Sequence, residues 1–307
     1  MVNRIIVHEV GLRDGLQMEH QTVPTEQKRK WIRDLIGTGV DILQVGSFVH
    51  PTKVPQMADT DELFRELTGE GSGPRHVILS GLVLNEKGLE RGLACGVEMF
   101  CMGVSASETH SKKNTGMTIA EATDRIIATA KSAESAGKRV QVSVQSAFGC
   151  GFEGPVLPER VLAIVQKYLN AGLKNVSLAD TAGHATPQMV EQMFGAIQAM
   201  GNGIECACHF HNTYGMGIAN VYAAMKAGVR SIESSIAGLG GCPFTKIAGG
   251  NVCTEDLVHM LHRMNLRKDI SLEKLIEIAG DVARFFERDM AGVVYKSGPI
   301  PSLSPGA

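Results

Sequence analysis

Short β-branched runs alternate along this chain with longer stretches whose apolar residues recur at helical spacing. The runs at 4–10 (RIIVHEV), 41–46, 76–83, 97–104, 139–145, 174–179, 204–210 and 230–236 read as strands. Between the first two lies PTEQKRKWIRDLIGTG, where Trp31/Leu35 and Ile32/Ile36 stand four apart and Gly37 supplies a stop. Another helix opens at Thr118, with Glu121 three residues on in the pattern of a capping box. Eight strand–helix units in about 240 residues match a closed parallel barrel, since each strand–helix–strand crossover needs roughly 30 residues. The pattern therefore predicts an α/β fold, a (β/α)8 TIM barrel. An open doubly wound sheet shares the alternation, but eight units are many for one of this length. Two further helical segments are expected near 254–265 and 271–289. The end, 296–307, closes on GPIPSLSPGA and reads as a loose tail. No linker, low-complexity block or repeat divides the chain, so 1–307 reads as one catalytic domain.

Composition narrows the function. Of 307 residues, 44% are hydrophobic, enough for a sizeable core, and the formal net charge of −2 offers no footprint for nucleic acid or an anionic membrane. The seven cysteines are scattered, at positions 95, 101, 150, 206, 208, 242 and 253, in no disulfide or zinc-ribbon spacing, as suits a reducing compartment. MVNRIIVHEV carries no apolar signal core, and charges break every apolar run before membrane-spanning length. A cytoplasmic protein without membrane or nucleic-acid partners is expected.

In a barrel the active site lies at the C-terminal ends of the strands, which shortens the search. The first strand runs into GLRDGLQ and puts Arg13 and Asp14 at the mouth. The seventh runs into HFHNTYG, where His209 and His211 stand two apart and so share a face. Such a pair is a reasonable metal chelate, and a carboxylate such as Asp14 would complete a facial set. After the eighth strand comes GLGGCPFTKIAGGN, whose five glycines describe a loop able to approach a ligand closely. Cys242, between Gly241 and Pro243, is a candidate catalytic thiol there. GCGFEG at 149–154 formally fits the dinucleotide pattern G-x-G-x-x-G. It follows the fifth strand rather than the first, prolines crowd the next helix, and no acidic strand end lies about 20 residues on, so a nicotinamide cofactor is not expected.

Taken together, RDGLQ at 13–17, SFVHPTKVPQMAD at 47–59, SASETHSKKN at 105–114, SLADT at 177–181, HFHNTYG at 209–215 and GLGGCPFTKIAGGN at 238–251, followed by TEDLV, resemble the 3-hydroxy-3-methylglutaryl-CoA lyase family in content and order. The resemblance covers nearly the whole chain, and its glycine-rich cysteine loop is highly specific. It implies a metal-dependent carbon–carbon lyase acting on an acyl-CoA, with Mg2+ or Mn2+ held by Asp14, His209, His211 and Asn251. Arg13 would stabilise the enolate oxyanion. Asp180, Cys242 and His209 would share the proton traffic, with the base among them left open. Gln17, Gln44, Ser47 and Ser177 would line the acyl pocket. From local sequence alone, Asp180 also fits a helix cap and Asn251 a turn residue. A homodimer is implied by the resemblance as well.

Three positions depart from the family pattern. Gln44 stands where a glutamate is usual, so a negative charge near the metal is missing. Phe210 and Asn212 stand where cysteine and aspartate are common, and are expected to shift the orientation of the neighbouring histidines. These departures leave room for a related substrate such as citramalyl-CoA. A Claisen-type synthase of the same superfamily and a catalytically idle acyl-CoA-binding protein are the remaining readings.

Overall fold

The computed structural model describes residues 4–69, 76–241 and 250–300. Strands β1 (Ile6–Glu9), β2 (Ile42–Ser47), β3 (Ile78–Leu82), β4 (Met99–Ser105), β5 (Arg139–Gln145), β6 (Asn175–Asp180), β7 (Glu205–Phe210) and β8 (Ser231–Ser234) form one closed barrel in sequence order. Every pairing is parallel, and β8 closes onto β1 with Ile6 opposite Ser231 and His8 opposite Glu233. The sequence reading placed all eight strands within two residues of their ends, the usual uncertainty of such boundaries. The expected closed barrel is therefore observed and the open sheet is not.

Alternation along the strands sorts side chains into two environments. One set faces the surrounding helices and builds the main core, with Trp31, Phe64, Phe100, Tyr168 and Phe194 fully buried. The other faces the barrel axis. On the β1–β4 side the interior holds a small apolar cluster of Ile42, Met99 and Cys101, with Ile6, Ile78 and Leu82 packed on it, beside the buried His8–Ser80 pair. On the β5–β8 side the interior is polar, and Gln141 of β5 donates across the barrel to Glu233 of β8. The helix Ile119–Ser135 carries the expected capping box, Thr118 with Glu121. The helices Thr254–Arg263 and Leu272–Phe285 fall where the pattern put them. The second closes over the helix Thr25–Ile36, where Phe285 meets Trp31 edge-on at 5.3 Å and Asp281 accepts from the indole N–H at 2.9 Å. Among the described residues no helix is long and apolar enough to cross a membrane.

Two buried carboxylates tie the barrel rim to the chain on either side of the glycine-rich loop. Glu9, at the end of β1, accepts from the amides of Gly11 (2.7 Å) and Ile236 (3.0 Å) and from the Thr254 hydroxyl. Glu255, opening the next helix, accepts from the amide of Ala237, which sits at a φ of 58°. Burial lifts Glu9 to about 7 and Glu255 to about 8, the latter with help from the charges of Asp256 and Glu9. Each acid therefore keeps in the folded state a proton that the unfolded chain, at an ordinary value of 4.5, has released. Their contribution to stability is full below the unfolded value and is lost as pH rises through the folded ones. Glu255→Gln, which stays neutral, should remove part of this fall. Its Tm should gain a few degrees on wild type between about pH 5.5 and about pH 8.5, read by circular dichroism. Parallel Tm–pH curves for the two proteins would refute the assignment.

Candidate metal and active site at the barrel mouth

The turn after β1 presents the first two functional side chains. Gly11–Gly15 winds as a single π-helical turn, a local widening often found at functional sites. Glycine is required at two points of it. A Cβ at Gly15 would stand 2.5 Å from the Leu239 Cβ, and one at Gly11 would stand 2.7 Å from Glu9 Oε1. The turn thus packs against the stem of the glycine-rich loop, and Arg13 and Asp14 project from it. Arg13 Nη1 donates to Asp14 Oδ1 at 2.6 Å, and its Nε donates to the Gln44 side-chain carbonyl.

From the far side of the seam, β7 brings His209 and, just past its end, His211. Asp14, His209 and His211 each offer a donor atom within 4.8 Å of the others. His209 Nε2 lies 3.7 Å from Asp14 Oδ2, while its Nδ1 pairs with Glu233 Oε2 at 2.9 Å. Asn251 reaches this group through tertiary pairing. A bridge between His211 and Asn251 sets the loop's far stem beside the end of β7, and Asn251 Nδ2 donates to Asp14 Oδ2 (2.8 Å) and to the Leu239 carbonyl (3.1 Å). Among the described residues that leaves Asn251 Oδ1 buried with no partner, as is His211 Nδ1.

Electrostatics suit a cation. Burial alone would raise Asp14, but Arg13, the two histidines and the Asn251 amide hold it well below the usual carboxylate range. Burial lowers His211 to about 4, keeping it neutral and able to ligate. Burial also opposes charge on His209, yet its hydrogen bond to Glu233 and the charge of Asp14 raise it. An anionic oxygen, two imidazoles and an unpartnered amide oxygen form the mixed O/N donor set that Mg2+ or Mn2+ accepts.

The remaining expected residues divide. Among the described residues Ser47 Oγ and Gln17 Oε1 are buried without partners, in keeping with side chains waiting for a ligand. Ser177 instead donates to Glu233 Oε1 at 3.0 Å, and Gln44 is taken by Arg13. Asp180 is fully buried at the end of β6, where it accepts from the amides of His184 (2.8 Å) and Ala185 (3.1 Å). It caps this turn, whereas the following helix is capped by Thr186. Burial, only partly offset by those amides, pushes Asp180 up to about 6. Cys242 lies outside the described residues. Phe210 and Asn212 do not touch the ligand set in the way expected. Alternation turns Phe210 outward onto Phe148, and Asn212 accepts from Gly217 at the start of the next helix. GCGFEG closes as a small Cys150–Gly154 hairpin, with no phosphate-binding helix start.

Two interior residues escaped the sequence reading. Glu233 accepts from His209, Ser177 and Gln141, and His8 pairs through Nε2 with Ser80 Oγ at 2.9 Å. Both carried a signal, since a glutamate or histidine on the inward face of a barrel strand must find partners.

The profile of the HMGL-like family matches residues 4–282. The chain belongs to the HMGL-like family. Among the family's curated members, it is 35% identical to a hydroxymethylglutaryl-CoA lyase of Bacillus subtilis, over 90% of this chain and 91% of that one. It is 38% identical to the hydroxymethylglutaryl-CoA lyase of Pseudomonas mevalonii, over 89% of each. The HMGL-like barrel superposes with a TM-score of 0.90 and 34% identity on an HMG-CoA lyase of Acinetobacter baumannii, covering 99% of this chain and 98% of that one. That structure holds coenzyme A and 3-methylmalate.

Proposed function

We propose that this HMGL-like protein is a divalent-metal-dependent lyase that cleaves 3-hydroxy-3-methylglutaryl-CoA to acetyl-CoA and acetoacetate. One observation carries the reading: Asp14, His209, His211 and the free oxygen of Asn251 converge at the barrel mouth beside the Arg13 guanidinium. These four residues would hold the cation, which would supply Lewis acidity at the barrel mouth when bound. The chain does the rest. A base removes the proton of the tertiary hydroxyl, and the C–C bond breaks as that oxygen becomes a ketone. The bonding pair passes to the acetyl-CoA fragment as an enolate, and an acid returns a proton to its carbon. Asp180, lifted to about 6, is poised for the first transfer near neutral pH. Cys242 is the candidate for the second, with His209 able to take part. Arg13 faces the enolate oxygen with a permanent charge and preorganised donors. Gln17, Gln44, Ser47 and Ser177 line the acyl pocket. The same reading takes Mg2+ or Mn2+ as the cation, coenzyme A as part of the substrate, and a cytoplasmic homodimer of single-domain chains. The resemblance supports the first three of these and the composition the compartment.

The finer choice of acyl group turns on Gln44, whose amide oxygen meets Arg13 without adding a charge. The test is a paired assay of acetyl-CoA release from 3-hydroxy-3-methylglutaryl-CoA and from citramalyl-CoA, with and without EDTA, for wild type and Gln44→Glu. Wild type should cleave the first substrate faster, and EDTA should abolish release. A preference for citramalyl-CoA that Gln44→Glu reverses would reassign the substrate. No release from either would sink the lyase reading.

A further inference from the structure

We propose that Glu233 is a positioning residue that sets the orientation of the metal-facing imidazole of His209 and ties it to the wall of the acyl pocket. The inference rests on the metal-ligand reading above and adds a residue that no motif marked.

The argument starts from the strand. Ser231, Glu233 and their neighbours alternate, so Glu233 points inward from β8, where it is 7% exposed. A carboxylate in a barrel interior is costly unless every oxygen is satisfied. Here both are. Oε1 accepts from Ser177 of β6 at 3.0 Å and from Gln141 of β5, while Oε2 is left for His209 of β7. Two strands, β5 and β6, thus hold one oxygen of the carboxylate, and the third contact, from β7, is the functional one. His209 Nδ1 donates to Oε2 at 2.9 Å. A donor at Nδ1 fixes the tautomer whose lone pair is on Nε2, the atom 3.7 Å from Asp14. Any rotation of the imidazole about its axis would break that contact, so the ring plane is held as well.

The arrangement has a second consequence. Ser177, expected to face the acyl group, shares Oε1 with Gln141. Movement of the Ser177 hydroxyl toward a bound acyl group therefore unloads one oxygen of the carboxylate whose other oxygen orients a metal ligand. Metal affinity and acyl occupancy are linked through this single side chain.

The test uses Mn2+ itself, measured by calorimetry on the full chain without substrate. Glu233→Gln should weaken Mn2+ binding by about tenfold or more, the usual cost of losing such a partner. Glu233→Asp, which keeps the charge but shortens the reach, should fall between Glu233→Gln and wild type. Gln141→Leu leaves the carboxylate in place and removes one of its anchors; a loss of a few-fold with an unchanged melt is expected. Thermal melts of the metal-free proteins separate orientation from scaffold. Wild-type Mn2+ affinity in Glu233→Gln overturns the proposal. So does equal weakening in the Gln and Asp variants accompanied by an equally lowered melt, because that pattern describes a structural prop. A wild type that binds no Mn2+ sinks both this and the metal-ligand reading. One that binds Mn2+ with this pattern but cleaves neither acyl-CoA sinks only the lyase assignment.

Discussion

Replacing Arg13 with methionine is expected to cut turnover by about a hundred- to a thousandfold, the loss usual for removing one preorganised oxyanion donor. Methionine keeps the length and apolar stem of the side chain, so the turn between β1 and the first helix should survive. Arg13→Lys should recover little. The guanidinium uses two separate edges, Nη1 toward Asp14 and Nε toward Gln44, and a single ammonium cannot meet both while facing an enolate. Steady-state kinetics with saturating Mn2+ decide the point. The loss should sit mainly in kcat, since the enolate charge exists only once the bond is breaking. A variant with wild-type kcat and a raised KM would make Arg13 a substrate anchor instead.

The second large effect is expected at Asp14. Asp14→Asn removes the only carboxylate of the three-residue donor group and should weaken Mn2+ binding by about a hundredfold or more, beyond what loss of an outer partner costs. The anion is doubly embedded. It takes Arg13 on one oxygen and the Asn251 amide on the other, so its loss also frees the loop stem that Asn251 joins to the Leu239 carbonyl. Activity should not return even at metal concentrations that saturate the weakened site if Asp14 also organises the stem. Calorimetry with Mn2+ reads the first effect and an activity titration against metal reads the second. Undiminished Mn2+ affinity in Asp14→Asn would remove Asp14 from the ligand set.

Taken with the pH-linked stability of Glu255, these effects trace how the fold serves the site. The barrel supplies fixed strand ends. The polar half under β5–β8 is where orientation is decided.

Much of this was legible in the chain, for reasons that can be stated residue by residue. The β-branched runs and the helical spacing of Trp31, Ile32, Leu35 and Ile36 determined the eight strand–helix units, because burial of apolar side chains is the dominant local demand. Arg13–Asp14 and His209-x-His211 could be found because both lie at strand ends, where a barrel displays its chemistry. Only the tertiary structure decided the rest. Asn251 is 40 residues beyond His211 in the chain and becomes its neighbour through one bridge between the loop stem and β7. Phe210 and Asn212 adjoin the histidines in sequence, yet alternation and helix capping send them elsewhere. Glu233 has no motif, since its meaning lies in Ser177, Gln141 and His209, which come from three other strands. Pattern along a chain records which face a residue must bury. Which partners await it there depends on how the barrel closes, and closure is a property of all eight strands at once.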